Sequence, residues 1–189
     1  MEFLGIVSGE GGPLIIGDAA VVQQWRGIED GGADYERCCA PLDRDANLQG
    51  YALAVGNGVA LIWEMQGGGT ADLFQKSPSE IVIVRTWLDR ADDEEVVIDL
   101  LAVAPSIAPP VFLCEIAITS GVCAVLWSPE DGQCIESMEV GESMRMTGEM
   151  AMEESGLMFP VTPGVYQCFH DEVAVEGGTA RRCRLKAKE

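Results

Sequence analysis

The sequence predicts an α+β fold that combines antiparallel sheets with a few short helices in its first half and is mostly β structure in its second half. Short apolar runs bounded by glycine, proline or asparagine recur along the chain, as expected for strands. Apolar residues at helical spacing occur before residue 105, whereas alternation with a period of two dominates after it. Hydrophobic residues make up 48% of the 189 residues, which is enough for a packed core.

The first predicted elements are a strand and a helix. Residues 13–16 form a short apolar strand that stops at Gly17. Asp18 is a good N-cap, because its carboxylate can accept hydrogen bonds from the free amides of a first helical turn. The apolar residues of segment 21–25 follow at helical spacing, and Gly27 can take the left-handed conformation that ends a helix.

A second helix and a hairpin are predicted next. The helix runs from Asp34 until Pro41 ends it. The apolar segments 51–55 and 59–63 flank Gly56-Asn57-Gly58, and Asn-Gly supports the positive φ angles of a tight hairpin turn.

The centre of the chain predicts a buried strand, a helix and a boundary. Residues 81–84 are apolar on both faces, which is typical of a central strand. The acids at 92–95 precede apolar residues spaced as in an amphipathic helix that reaches residue 104. Prolines from Pro105 onward mark a break, so we expect an α+β domain over residues 1–104 and an antiparallel β domain or subdomain over residues 105–189. The sequence leaves open whether the two share one core.

The second half predicts an antiparallel sheet. Alternating apolar residues define one face of a first strand: Phe112, Cys114, Ile116 and Ile118. Further strands are expected at 122–127, near 139–146, and at 165–169 and 181–188. The last strand carries a basic row on one face: Arg182, Arg184, Lys186 and Lys188. Such a row is typical of an exposed edge strand, and it also offers cations to the many carboxylates.

The charge of the chain limits the partners that it can bind. The sequence has 31 Asp and Glu against 12 Lys and Arg, a formal net charge of −19. This balance excludes nucleic acid as a ligand, because phosphate contacts require Lys and Arg. A large negative field instead favours a basic partner.

The sequence has no feature that indicates a membrane or secreted location. The N-terminus lacks the basic segment and apolar run of a secretory signal, and no window approaches the ~18 apolar residues of a membrane span. Seven cysteines without a Cys-x-x-Cys pair indicate reduced, buried thiols. We therefore expect a cytoplasmic protein that does not bind membranes.

No catalytic, cofactor or metal motif is found in the sequence. His170, the one histidine, lies near the end of a predicted strand, where we expect a solvated imidazole rather than a catalytic base. The glycine clusters lack the lysine of a phosphate-binding loop, and Ser143 is not in a Gly-x-Ser-x-Gly elbow. The acids at 89–95 lack the alternation of a calcium loop, and the single histidine disfavours zinc. We predict no cofactor and no metal.

Methionine and tryptophan are expected mainly in the core. Six of the eight methionines fall between residues 138 and 158, where they fill a sheet core or form an adaptable contact surface. The four tryptophans occupy apolar positions of predicted elements: Trp25, Trp63, Trp87 and Trp127.

A series of short motifs in the first half resembles the immunity protein 21 family of bacterial polymorphic toxin systems. The motifs occur in this order: Gly12-Pro13-Leu14-Ile15, Trp25-Arg26-Gly27, Asp34-Tyr35-Glu36-Arg37-Cys38-Cys39, Val59-Ala60-Leu61-Ile62, Gly69-Thr70-Ala71 and Ile83-Val84-Arg85-Thr86-Trp87. They cover about residues 9–104. The resemblance implies a non-enzymatic cytoplasmic protein that binds and neutralises a cognate toxin.

We therefore predict an acidic immunity protein that is steered electrostatically onto a basic protein toxin. The predicted contact residues form two patches: Asp92, Asp93, Glu94 and Glu95, and then Glu153 and Glu154. One alternative is a hydrolase with an Asp/Glu acid–base pair, which needs two carboxylates with divergent pKa values in one pocket. Another is a small-ligand or assembly module on the C-terminal sheet, which an apolar patch around the methionines would favour. The oligomeric state is left open.

Overall fold

The structure is a computed structural model that describes residues 1–9, 11–63, 69–86, 101–137, 140–141, 143–145, 154–175 and 178–188. The strands of the first half are β1 (Glu2–Gly9), β2 (Leu14–Asp18), β3 (Gly50–Val55), β4 (Gly58–Trp63), β5 (Gly69–Ser77) and β6 (Glu80–Thr86). Those of the second half are β7 (Val111–Ile118), β8 (Val122–Trp127), β9 (Ser143–Arg145), β10 (Glu154–Pro160), β11 (Gly164–Val175) and β12 (Gly178–Ala187). Two α-helices, α1 (Ala19–Val22) and α2 (Ala33–Arg44), lie between β2 and β3, and short 3-10 helices span Glu29–Gly31 and Gly132–Ser137.

The strands form two six-stranded sheets. Sheet A has the order β1-β5-β6-β12-β11-β7, and sheet B has the order β3-β4-β2-β8-β10-β9. All pairings within the described strands are antiparallel. The predicted α+β class, with antiparallel sheets and few helices, is confirmed.

The two predicted halves share both sheets. In sheet A, β6 pairs with β12, and in sheet B, β2 pairs with β8. Each sheet therefore contains three strands from before residue 105 and three from after it. The break at Pro105 does not separate two cores, because the strands on its two sides complete each other's hydrogen bonding.

Three apolar clusters hold the layers together. The largest lies between the sheets and joins residues such as Leu61 and Val125 of sheet B to Leu73 and Ile83 of sheet A. A second cluster packs α1 and α2 against the other face of sheet B, around Trp25. A third packs Leu101 and its neighbours onto the outer face of sheet A. The burial of each face drives the layered arrangement, since apolar area removed from water contributes about 25 cal/mol per Å².

Several predicted elements are confirmed. The strand at 13–16 is β2, and the Asp18 carboxylate caps α1 by accepting a hydrogen bond from the Ala20 amide at 2.9 Å. The hairpin is β3–β4, in which Val55 pairs with Gly58. The strand at 81–84 lies within β6, with side chains buried on both faces of sheet A.

The first helix is shorter than predicted, since α1 ends at Val22. Gly27 nevertheless has a left-handed φ of 53°. A Cβ atom at Gly27 would lie 2.2 Å from the carbonyl oxygen of Pro129, so the close approach of the two segments also requires glycine.

The prediction that Pro41 ends the second helix is wrong, because α2 continues to Arg44. Proline has no N–H, so the carbonyl of Arg37, four residues earlier, lacks its helical partner. The Tyr51 hydroxyl on the neighbouring strand lies 3.4 Å from this carbonyl and 2.7 Å from the carbonyl of Cys38. The single hydroxyl proton of Tyr51 is therefore donated chiefly to Cys38, and the longer contact brings the same donor near the unpartnered Arg37 carbonyl.

The prediction of a basic edge strand at 181–188 is also wrong. Strand β12 lies between β6 and β11, and Arg182 on this strand is buried. Its guanidinium donates two hydrogen bonds of 2.8 Å to the buried Asp171 carboxylate. The cations of this strand therefore pair with carboxylates, as the sequence suggested, but inside a sheet.

Strand β7 departs from its predicted face at one residue. Cys114, Ile116 and Ile118 are buried as expected, whereas Phe112 is 52% exposed. The pairing of β7 with β11 skips Leu113, because Cys114 faces Cys168 and Phe112 faces Phe169. This bulge reverses the alternation and turns Phe112 to the outer face of sheet A.

Three of the tryptophans are buried as predicted: Trp25, Trp63 and Trp127. Trp87 lies outside the described residues. All seven cysteines are free thiols, and five of them are buried. None of the helices in the described part of the chain is long and apolar enough to cross a membrane.

Candidate functional site

Helix α2 presents acids to solvent because of its amphipathic spacing. Tyr35, Cys38, Cys39 and Leu42 follow at i, i+3, i+4 and i+7 and pack onto sheet B. Glu36 and Asp43 are exposed on one flank of this buried face. We name the exposed carboxylates of this layer the α2 acidic surface: Glu29, Asp30, Glu36, Asp43 and Asp45.

Two arginines anchor this layer without neutralising it. Arg26 lies 3.3 Å from both Asp30 and Asp131. Arg37 contacts Asp34 at 2.8 Å and donates to the carbonyl of Ala54 on β3 at 2.7 Å. No described residue forms an ion pair with Glu29, Glu36 or Asp43, so no neighbouring cation compensates the charge of these exposed carboxylates.

The two sides of the molecule differ in charge. The helix layer, residues 19–49 and 128–137, contains nine acids and three bases. The six strands of sheet A contain six of each. Among the described residues, the excess negative charge therefore lies on the helix side of sheet B.

The structure describes only one of the six predicted contact residues. Asp92, Asp93, Glu94, Glu95 and Glu153 lie outside the described residues. Glu154 is the first residue of β10 and faces Arg145 of β9 in the strand pairing. The α2 acidic surface was not predicted from the sequence, although the helical spacing of the apolar residues 35, 38, 39 and 42 indicates which acids are exposed.

Two carboxylates share a cavity of about 510 Å³, as the alternative hydrolase would require. These are Asp18 and Glu115, in a cavity that also includes Asn57 and Val165. Asp18 accepts hydrogen bonds from the amides of Thr119 at 2.6 Å and Ser120 at 2.9 Å. Glu115 is held by Lys188 at 3.0 Å.

The pKa values of this pair shift in the same direction. Burial alone would raise the pKa of Asp18, but the hydrogen bonds from Ser120, Ala20 and Thr119 outweigh it and lower the pKa below its ordinary value. The hydrogen bond from Lys188, supported by Gln167, lowers the pKa of Glu115. An acid–base pair needs one raised and one lowered pKa, so this cavity does not support the hydrolase alternative.

The expectation of a solvated His170 is wrong. The imidazole is buried, and its Nδ1 accepts a hydrogen bond of 3.2 Å from Nε1 of Trp63. The cause is the position of β11 inside sheet A, which turns His170 toward sheet B. Burial lowers the pKa of His170, Arg181 lowers it further, and Glu172 and Asp171 oppose these effects.

The methionine-rich segment is described only in part. Met158 is buried against the helix side of sheet B, which is a core position. Met144 lies in the short strand β9, and the others between 138 and 152 fall outside the described residues. Within the described ranges, no three His, Cys, Asp or Glu side chains are grouped as metal ligands.

Comparison of the chain with protein-family models, curated proteins and solved structures gave no match. The similarity to the immunity protein 21 family therefore stays a prediction from the order of short motifs. The observations on which a function can be based are the layered fold and the α2 acidic surface, whose helix packs on sheet B.

Proposed function

We propose that this protein is a cytoplasmic immunity-type inhibitor that binds a basic protein toxin through acidic surfaces. The α2 acidic surface is one contact region, and the sequence-predicted patches at 92–95 and 153–154 are further candidates. The observation that supports this most directly is the exposure of Glu36 and Asp43 on a helix whose apolar face is buried in the core.

Such a surface suits recognition of a basic protein. Glu36 and Asp43 stand on the backbone of a packed helix, so little backbone freedom is lost there when a partner binds. The unneutralised charge raises the rate of encounter with a basic partner and disfavours acidic ones.

The experiment uses the purified product of the neighbouring gene as the probe, since an immunity protein is encoded beside its toxin. Cells that express this product should grow only when the present protein is co-expressed, and the two purified proteins should form a complex. Growth inhibition without rescue, together with no complex, would contradict the proposal.

A pair of double variants tests the contact region. Glu36→Lys with Asp43→Lys reverses the centre of the α2 acidic surface, and Glu2→Lys with Glu115→Lys makes the same change in net charge on sheet A. We expect the first pair to slow association at low salt by about tenfold and the second by less than about threefold. Equal slowing by the two pairs would contradict a contact at α2.

A further inference from the structure

The outer face of sheet A is covered over only part of its area. The helical residues 101–103 and the chain that follows cross this face. Arg182 fixes them by donating hydrogen bonds to the carbonyls of Leu101 at 2.9 Å and Ala104 at 2.8 Å. Beyond Pro110 the chain enters β7 at the sheet edge, and the basic part of β12 is left accessible.

This accessible part contains a cavity of about 300 Å³. It is lined by Glu80, Pro110, Phe169, Arg184 and Lys186. The strand pairing creates it, because Phe169 lies beside Arg184 and Glu80 lies beside Lys186. Phe169 and Pro110 therefore form an apolar wall of the cavity, and Arg184 and Lys186 form its cationic floor.

The apolar wall extends to the exposed ring of Phe112. Its centroid lies 5.7 Å from that of Phe169, with the rings inclined at 67°. The bulge in β7 places Phe112 here, so the backbone irregularity builds an aromatic surface next to the cations.

The charge around the cavity is positive in a chain that is strongly negative overall. Arg182 and Arg184 share the single carboxylate of Asp171, each at 2.8 Å. Glu80 is engaged by Lys76 at 3.1 Å, and no ion pair joins Lys186 to a described residue. These four cations and two carboxylates leave two positive charges in excess.

One hydrogen-bond donor in this cluster is unused. Nε of Arg184 is buried and has no hydrogen-bond partner among the described residues. A buried donor without a partner destabilises the folded chain, and an anion beside the guanidinium would supply the missing acceptor.

We propose that this cavity binds a small organic anion, a carboxylate attached to a planar apolar group. The carboxylate lies between Arg184 and Lys186, where charge-assisted hydrogen bonds are strong, and the apolar group packs on Phe169 and Pro110. The cavity volume is at the lower end of the range for small-molecule sites, which restricts the ligand to about the size of one aromatic ring. This site is separate from the α2 acidic surface and does not depend on the proposed function.

The test is a titration of the purified full chain with benzoate, followed by amide NMR shifts. Benzoate should produce saturable shifts at Phe169, Arg184 and Lys186, with a dissociation constant of about 1 mM or tighter. Benzamide, which has the same ring without the charge, should bind at least about tenfold more weakly. Absence of saturable shifts with benzoate, or equal binding of benzamide, would overturn the proposal.

A matched pair of variants separates a specific site from general attraction. Lys186→Gln should weaken benzoate binding by about tenfold, whereas Arg44→Gln, which removes the same charge from the exposed end of α2, should change it by less than about twofold. An equal loss in the two variants would overturn the proposal. Inorganic phosphate that bound as tightly as benzoate would overturn the role assigned to the apolar wall.

Discussion

Trp63 and His170 join the two sheets by a hydrogen bond between buried side chains. Trp63 belongs to β4 of sheet B and His170 to β11 of sheet A, and Nε1 of the indole donates to Nδ1 of the imidazole over 3.2 Å. Because Nδ1 is the acceptor, the neutral imidazole carries its proton on Nε2. Protonation of Nδ1 would place two donors face to face, so the packing of the sheets is linked to the charge of His170.

This linkage predicts a loss of stability in mild acid. The pKa of His170 is lowered in the folded protein relative to the ordinary value of 6.5, chiefly by burial. As the pH falls below about 6.5, the unfolded chain takes up a proton that the folded protein does not, so the free energy of unfolding decreases. Urea denaturation at about pH 7 and about pH 5.5 would measure this decrease.

The matched variant is His170→Gln. His170 is the one histidine of the sequence, so the variant removes the whole imidazole contribution. We expect His170→Gln to be less stable at pH 7 but to change less between the two pH values. An unaltered pH dependence in this variant would contradict the linkage.

Asp171 is predicted to be the most sensitive charged residue of sheet A. Its carboxylate is buried between Arg182 and Arg184, and Ser106 also donates a hydrogen bond to it. Asp171→Asn leaves two guanidinium groups without their shared anion, which we expect to cost about 3–5 kcal/mol of unfolding free energy. The neighbouring Glu172→Gln, at a half-exposed site, should cost less than about 1 kcal/mol in the same denaturation experiment. Similar losses in both variants would argue against a buried network.

Tyr51 is predicted to stabilise α2 at its proline. Tyr51→Phe removes the hydroxyl that lies 2.7 Å from the Cys38 carbonyl and 3.4 Å from the Arg37 carbonyl. The loss should be about 1 kcal/mol in urea denaturation. In a Pro41→Ala background the backbone N–H of residue 41 can donate a hydrogen bond to the Arg37 carbonyl. The change Tyr51→Phe should then lower the free energy of unfolding by less. An identical cost in both backgrounds would show that the hydroxyl does not compensate for the proline.

Local patterns predicted the elements whose causes are local. A continuous apolar run predicted β6, the turn at residues 120–121 within the period-two region predicted β8, and the carboxylate of Asp18 before an apolar helical segment predicted the α1 cap. The Gly56-Asn57-Gly58 turn predicted the β3–β4 hairpin, because a two-residue turn fixes the register of its own strands.

Long-range pairing explains the predictions that were wrong. The basic row on β12 resembled an exposed edge, and only the pairing with β6 and β11 shows that Arg182 is interior. The same pairing turns His170 toward Trp63, more than one hundred residues away in the sequence. The contact between the Tyr51 hydroxyl and the helix that contains Pro41 depends on the position of β3 beside α2, which the sequence does not show.

The candidate surfaces were predictable to different degrees. Net charge indicated a basic partner without locating a surface, whereas the apolar spacing in α2 fixes which acids face solvent. The cationic cavity on sheet A depends on cross-strand neighbours, and the aromatic surface beside it depends on a bulge at Leu113; a linear pattern reveals neither.

The most direct test of the central claim is the association rate with the product of the neighbouring gene as a function of ionic strength. If the acidic surfaces guide binding, the rate constant should fall at least about tenfold as the Debye length shortens from about 30 Å at 0.01 M salt to about 8 Å at 0.15 M. The Glu36→Lys, Asp43→Lys variant should show a weaker salt dependence. A rate that is the same at both salt concentrations, in a complex that still forms, would contradict electrostatic guidance by these carboxylates.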